Sequence, residues 1–119
     1  MDVTPLVKQG SQILQSYKNG AFKVSGLVYE GAILVSPEET QLWPVSGFAN
    51  LSEDDFTNIE AEVVLLGTGA SMAFLPPELR KAIKAQGLAV EVMDTAAACR
   101  TYNVLMAEGR QVVAALLPV

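Results

Sequence analysis

Three apolar segments alternate with two helical patterns in the second half of the chain, and this alternation constrains the fold more than any other feature. Val63 to Leu66 is a continuous apolar run, which is typical of a strand covered on both faces. The other two segments are Leu88 to Met93 and Val112 to Leu117. Strands that are joined by helical crossovers in one sheet run parallel, and the crossover connections are right-handed. The sequence therefore predicts a C-terminal β-α-β-α-β unit.

Both predicted helices carry start and stop signals. Pro76-Pro77-Glu78 begins the first helix with a proline near its first position, and Gly87 ends it. Asp94 or Thr95 can cap the second helix, and Gly109 follows its last residue. We expect one stripe of the second helix to pack against the sheet, and it consists of Ala98, Cys99, Tyr102, Leu105 and Met106.

The first third of the chain is predicted to be antiparallel β structure. Asn19-Gly20 separates two runs of alternating apolar residues, a strong hairpin signal because both residues tolerate positive φ. Further short strands are predicted at 27–29, 32–35 and 41–45, and the ring of Trp43 is expected in the core. No repeat or linker divides the chain, so we predict one α/β domain over residues 1–119.

The composition excludes several classes of function. With one cysteine and no histidine, the chain can form neither an internal disulfide nor a Cys/His metal site, and it has no Ser-His or Cys-His catalytic pair. Eight basic and thirteen acidic residues without a basic cluster argue against binding to nucleic acid. The apolar runs are too short for a transmembrane segment. The first ten residues have no signal-peptide or presequence pattern, so we expect a cytoplasmic protein, or a mature form whose targeting piece is missing.

Several side chains that could suggest chemistry have simpler interpretations. Ser52-Glu53-Asp54-Asp55 forms a capping-box pattern at the start of a short helix, and its acids are interpreted as solvated charges rather than metal ligands. Cys99 and Tyr102 lie on the packed stripe of the second helix, so we expect a buried thiol and a core ring rather than a nucleophile and a catalytic acid. No cofactor and no metal site are predicted.

Ligands of open parallel sheets usually bind at the carboxyl ends of the strands. Two such ends are visible in the sequence, Gly67-Thr68-Gly69 and Asp94-Thr95. Their loop amides and the start of the following helix, with Arg100 nearby, could hold a carboxylate or phosphate. Gly67-Thr68-Gly69 lacks the glycine spacing of a dinucleotide fingerprint and the Gly-Lys-Ser/Thr of a P-loop, so we favour the simpler interpretation of a tight turn after a buried strand. Arg100 lies near the positive end of its helix, and we expect Glu91, Asp94 or an anionic group of a partner to hold it.

Several short motifs together resemble the Mth-type domain of unknown function, a family that includes mitochondrial NADH dehydrogenase (complex I) assembly factor 3. The motifs are Tyr29-Glu30-Gly31, Trp43, Gly67-Thr68-Gly69, the run from Val90 to Thr95, the run from Ala97 to Asn103, Glu108-Gly109-Arg110 and Ala115-Leu116-Leu117-Pro118. The resemblance covers nearly the whole chain. It implies a three-layer α/β fold with a mixed central sheet and an extra β hairpin layer, and it supplies no catalytic residues.

What the resemblance offers for function is a cluster near the strand ends. The predicted binding residues are Gly67, Thr68, Gly69, Asp94, Thr95, Arg100, Tyr102 and Asn103. We expect a non-enzymatic interaction protein, similar to complex I assembly factors, that docks a protein partner such as a respiratory-complex assembly component. The alternatives are an anion-binding protein or weak enzyme at Gly67-Thr68-Gly69 and Arg100, and a domain whose motifs serve folding alone. The sequence leaves the partner and the oligomeric state open.

Overall fold

A computed structural model describes residues 10–119, and the prediction drawn from the N-terminal sequence falls largely on residues 1–9, outside that range. Strands β1 to β8 are, in chain order, Leu14–Lys18, Ala21–Val24, Leu27–Glu30, Ile33–Val35, Thr40–Leu42, Val63–Gly67, Val90–Met93 and Val112–Leu116. The α-helices are α1 (Pro77–Ala85) and α2 (Thr95–Ala107), and Phe48–Asn50 and Glu53–Phe56 form short 3₁₀ helices.

Five strands form a mixed central sheet in the order β5-β4-β8-β6-β7. Strand β6 is parallel to β7 and β8, whereas β4 is antiparallel to β5 and β8. The predicted β6-α1-β7-α2-β8 unit is therefore confirmed. The chain moves outward from β6 to β7 and then returns across the sheet to β8. These two crossovers move across the sheet in opposite directions. Since such crossovers are right-handed, they place α1 and α2 on opposite faces of the sheet.

The alternation of side chains along the central strands produces two separate cores. On one face, Leu65 of β6 and Ala114 of β8 pack with Tyr102 of α2 and with Phe22 of the N-terminal strands. The predicted stripe of α2 is confirmed, since Ala98, Cys99, Tyr102 and Met106 are buried and Leu105 is partly buried.

The opposite face of the sheet is covered by α1 and by the loop that follows β5. Here Leu66 of β6 packs in one cluster with Ile83 of α1, Trp43 and Phe56. The Trp43 ring lies edge-on to Phe56 at a centroid distance of 5.6 Å, and its Nε1 donates to the carbonyl of Asp55 at 3.1 Å. Trp43 is thus a core residue, as the sequence predicts.

The antiparallel N-terminal region is confirmed, but its strands are divided between two sheets. Strands β1, β2 and β3 form a separate sheet on the α2 face, whereas β4 and β5 extend the central sheet. Asn19 and Gly20 join β1 to β2 with φ values of 52° and 77°, the two positive angles of a type I′ turn. The extra layer is therefore a three-stranded sheet rather than a hairpin.

Strand β7 lies at an edge of the central sheet, a position about which the sequence made no prediction. Apolar residues occupy both of its faces, and side chains on each face contact a core cluster, as expected for a strand covered by other layers. However, β7 is the last strand of the central sheet, with Glu91 exposed, and β8 and β6 lie nearer the centre. Periodicity reports which faces of a strand are apolar and gives no information about which of its edges has a neighbour.

The ends of α2 follow the predicted signals. Asp94 is its N-cap, and Asp94 Oδ1 accepts a hydrogen bond from the amide of Ala97 at 2.8 Å. At the other end Gly109 has φ of 80°, and the amides of Gly109 and Arg110 donate to Met106 and Leu105 in a Schellman arrangement. Neither helix within residues 10–119 has the length and apolar character that crossing a membrane requires.

Candidate functional site at the strand ends

The carboxyl ends of β6, β7 and β8 meet at one edge of the central sheet, which we call the strand-end face (residues 67–76, 94–95 and 117–118). The amide of Thr68 donates to the carbonyl of Met93, and the amide of Thr95 donates to the carbonyl of Gly69, both at 2.9 Å. The amide of Leu117 donates to the carbonyl of Gly67 at 2.9 Å. Five predicted site residues thus lie together here (Gly67, Thr68, Gly69, Asp94 and Thr95), along with the segment after β8, which the prediction did not include.

Thr95 is the polar centre of this face and is completely buried. Its Oγ1 donates to the carbonyl of Leu117 at 2.7 Å and accepts from the amide of Gly69 at 2.9 Å. A Cβ on Gly67 would lie 2.9 Å from Thr95 Oγ1 and 3.0 Å from its backbone Cα. Only glycine fits at position 67 because α2 approaches so closely. Thr95 joins the three strand ends through internal hydrogen bonds.

Thr68 shapes the loop that leaves β6. Its Oγ1 donates to the carbonyl of Ser71 at 2.7 Å and accepts from the amide of Ala73 at 3.2 Å. This bonding holds a turn whose following residues project outward, since Met72 is 44% exposed and Phe74 is 74% exposed.

Sequence reasoning missed Met72 and Phe74 as surface residues, because the interpretation of the loop rested on its glycines and hydroxyls. A usable signal was present. Both residues lie between Gly69 and Pro76, outside any helical or alternating apolar pattern that would bury them.

Three of the first four amides of α2 already bond to the protein's own groups. The amide of Thr95 donates to Gly69, that of Ala97 to Asp94 Oδ1, and that of Ala98 to the Asp94 carbonyl at 3.0 Å. The Asp94 carboxylate also places a negative charge at the positive end of the helix dipole. An external anion would have to displace these bonds or approach that carboxylate.

Arg100 lies on the surface of α2, and its side chain is exposed. Among residues 10–119 the ion pair within 4.0 Å is Arg110 with Glu62, so neither Glu91 nor Asp94 pairs with Arg100 there. Within residues 10–119, no carboxylate forms an ion pair with the Arg100 guanidinium. That an anionic group of a partner binds it stays a prediction.

Tyr102 and Asn103 lie further along α2 and face the N-terminal sheet rather than the strand ends. The hydroxyl of Tyr102 donates to the carbonyl of Gln12 at 2.8 Å. Asn103 Oδ1 accepts from the amide of Leu14 at 3.0 Å, and its Nδ2 donates to the Leu14 carbonyl at 2.8 Å. The structure therefore brings this pair together with β1, apart from Gly67, Thr68 and Gly69.

The two titratable groups in the α2 core are held in their neutral forms. Burial raises the pKa of the Cys99 thiol to about 12, against a smaller opposing effect of the Arg100 charge. Burial, and then the negative charge of Glu38, raises the pKa of the Tyr102 phenol above its ordinary value. Neither group supplies a thiolate or phenolate near neutral pH. In the described part of the chain no group of three or more carboxylate, thiol or imidazole side chains could hold a metal ion.

Comparison with protein families gives a match over most of the chain. A family model described as "Protein of unknown function (DUF498/DUF598)" matches residues 14–117. An uncharacterised protein of Rhodobacter capsulatus is 38% identical over 109 residues, covering 92% of this chain and 86% of the relative. NADH dehydrogenase (ubiquinone) 1 alpha subcomplex assembly factor 3 of Bos taurus is 34% identical over 110 residues. That match covers 88% of this chain and 60% of the assembly factor.

Solved structures share both the fold and the sequence pattern. The crystal structure of a protein from Bordetella parapertussis superposes with a TM-score of 0.84 at 39% identity, covering 93% of this chain and 98% of that one. The solution structure of a Bordetella pertussis protein, described as a Mth938-like domain, superposes with a TM-score of 0.79 at 32% identity. In that case 99% of this chain and 92% of the other are covered.

Proposed function

The chain belongs to the protein family of unknown function DUF498/DUF598, as its short motifs indicated, and from that premise we propose that it is a non-enzymatic interaction domain. It docks a partner protein through the strand-end face. The partner belongs to the assembly machinery of a respiratory complex.

The observation that carries this proposal is the exposure of Phe74 on an anchored loop. Phe74 is the most exposed of the large apolar side chains in the described residues, and Met72 stands two positions before it. The loop leaves β6 at Gly67, where hydrogen bonds to β7 and α2 fix its path. Aromatic side chains that become buried in a partner are among the few that dominate binding at protein interfaces. Burying it against a partner would contribute about 1.5 to 3 kcal/mol.

The relationship to complex I assembly factors supports the class of partner. The bovine relative is named as an assembly factor of NADH dehydrogenase, and this chain spans 60% of its length. The internal chemistry is consistent with a non-enzymatic role, because Cys99 and Tyr102 are buried and neutral and the amides of Thr68, Gly69 and Thr95 are engaged in internal bonds.

Affinity capture with a matched pair of variants tests the proposal. Wild-type chain, Phe74→Asp and Val104→Asp would each be tagged in the native host, with membranes solubilised and co-purifying proteins identified by mass spectrometry. We expect respiratory-complex components with the wild type and with Val104→Asp, and their loss with Phe74→Asp. Val104 is the matched control because it is 58% exposed but lies on α2.

The proposal fails if the set of captured proteins is the same for all three chains, or if respiratory-complex components are absent from the wild-type sample. Circular dichroism of each variant would establish that the domain has folded.

The anion-binding alternative requires that backbone amides of the strand-end face be free to bind the anion. The amides of Thr68 and Gly69 already have intramolecular partners, and Asp94 occupies the start of α2. We therefore expect inorganic phosphate at constant ionic strength to leave the melting temperature unchanged. A bound anion at a hundredfold excess over its Kd would stabilise the protein by about 2.7 kcal/mol. A rise in melting temperature that Arg100→Ala abolishes would favour the alternative.

A further inference from the structure

Strand β7 leaves one row of backbone hydrogen-bonding groups directed away from the central sheet. The amide of Val64 donates to the Ala89 carbonyl at 2.8 Å, and the amide of Thr68 donates to the Met93 carbonyl at 2.9 Å. These two bonds, with the parallel register of Val64 opposite Val90, set the alternation along the strand. Residues 89, 91 and 93 therefore bond to β6, while Val90 and Val92 direct their N–H and C=O groups outward. Within residues 10–119, no strand pairs with this outer edge.

A groove lies beside this open edge, between β7 and α1. It has a volume of about 570 Å³ and is lined by Leu75, Ile83, Leu88, Val90 and Val92, with Arg80 and Lys84 also in its wall. Val90 and Val92 are half-buried and pack against the cluster that contains Ile83. The groove thus combines an apolar floor with unpaired backbone groups along one side. An extended segment that adds to a sheet edge uses both features.

The charge of the groove indicates the kind of segment that it fits. Arg80 and Lys84 are exposed on α1 and line the groove, although the whole chain has a net charge of −5. Glu91 of β7 also contributes to the lining of the groove and offsets part of this positive charge. Its side chain leaves the sheet on the opposite face from Val90 and Val92, because successive side chains alternate. Two cations therefore face the groove from its helical wall, where a carboxylate of a partner would be attracted.

We propose that the groove between α1 and β7 binds an extended acidic segment of a partner protein, which adds to β7 as a sixth strand of the central sheet. The backbone of the segment pairs with Val90 and Val92. Its alternate side chains enter the groove, with apolar residues over the floor and a carboxylate at Arg80 and Lys84. This surface lies on the sheet edge and does not depend on the proposed role of Phe74.

An NMR titration of the whole chain tests this proposal. The probe is an acetylated and amidated peptide, Ser-Val-Ser-Val-Ser-Glu, whose two valines and glutamate share one face when it is extended. We expect chemical-shift changes at the amides of Val90 and Val92, and slower hydrogen exchange at those two amides in the complex. Two control peptides bind more weakly. One carries lysine in place of the glutamate, and the other is N-methylated on alternate residues so that it cannot pair with a strand.

Charge variants locate the acidic contact. Arg80→Glu and Lys84→Glu should each weaken binding of the glutamate peptide by about tenfold. Lys81→Glu should leave it unchanged, because Lys81 is exposed on the same helix but does not line the groove. Phe74→Asp should also leave it unchanged, which separates this result from the test of the strand-end face.

Three results would overturn the proposal. The first is an absence of shifts at Val90 and Val92 up to about millimolar peptide, a concentration that detects even weak association. The second is equal binding of the N-methylated peptide, which would exclude strand addition. The third is an equal loss of binding in Lys81→Glu, which would mean that the attraction is general rather than local to the groove.

Discussion

At the scale of single residues, some of the predicted site residues are buried and others are exposed to solvent. Thr95 is buried and bonds to Gly69 and Leu117, whereas Arg100 is exposed. Thr95→Val keeps the shape of the side chain but leaves a buried amide and a buried carbonyl unpaired. Each such group costs about 1 to 3 kcal/mol, so we expect Thr95→Val to lower the free energy of unfolding by about 2 to 6 kcal/mol. Arg100→Ala should change it by less than about 0.5 kcal/mol. Urea unfolding measures both, and equal effects would contradict this division.

At the scale of secondary-structure elements, the side-chain amide of Asn103 is one of the contacts by which α2 holds the N-terminal sheet. Asn103 bonds to both the amide and the carbonyl of Leu14, as a neighbouring strand would. We expect Asn103→Ala to lower the free energy of unfolding by about 1 to 3 kcal/mol, because the backbone of Leu14 loses both partners. Hydrogen exchange should then accelerate at Leu14 more than at Leu65 in the central sheet. Val104→Ala is the adjacent control, and a uniform acceleration in Asn103→Ala would contradict a local role.

At the scale of the whole molecule, the buried thiol and phenol should make the stability of the domain depend on pH in the alkaline range. The chain has no histidine, so no imidazole titrates between pH 6 and 8. Burial raises the pKa of Cys99 from 9.0 to about 12, so between these values the folded state holds a proton that the unfolded state has lost. Stability from this group is complete below pH 9 and is lost as the pH rises toward 12. Tyr102 acts in the same direction.

The contribution of the thiol can be measured by urea unfolding of wild type and Cys99→Ala at pH 7, 9 and 10. Cys99→Ala should be less stable at pH 7, because removing a buried sulfur leaves a small cavity. Its loss of stability above pH 9 should nevertheless be shallower than that of the wild type. Parallel pH profiles for the two proteins would show that the thiol is not protected from ionisation.

Much of the fold could be predicted because its signals are local. The β-α-β-α-β unit follows from apolar runs and helix caps that extend over a few residues, and Asn19-Gly20 specifies its turn without help from the rest of the chain. The grouping of Gly67, Thr68 and Gly69 with Asp94 and Thr95 followed from a topological rule, since parallel strands end at the same edge. The functional role of these residues stays a prediction.

The sequence by itself determined the class of the fold, the order of its elements, the buried stripe of α2 and the absence of imidazole chemistry. Tertiary structure decided that β7 lies at an edge, that β4 and β5 join the central sheet, that Asn103 bonds to β1, and that Phe74 projects into solvent. The physical reason is range. Periodicity and capping record how a segment relates to its immediate neighbours, whereas an open edge, a buried hydroxyl or an exposed ring depends on which distant segments pack against it.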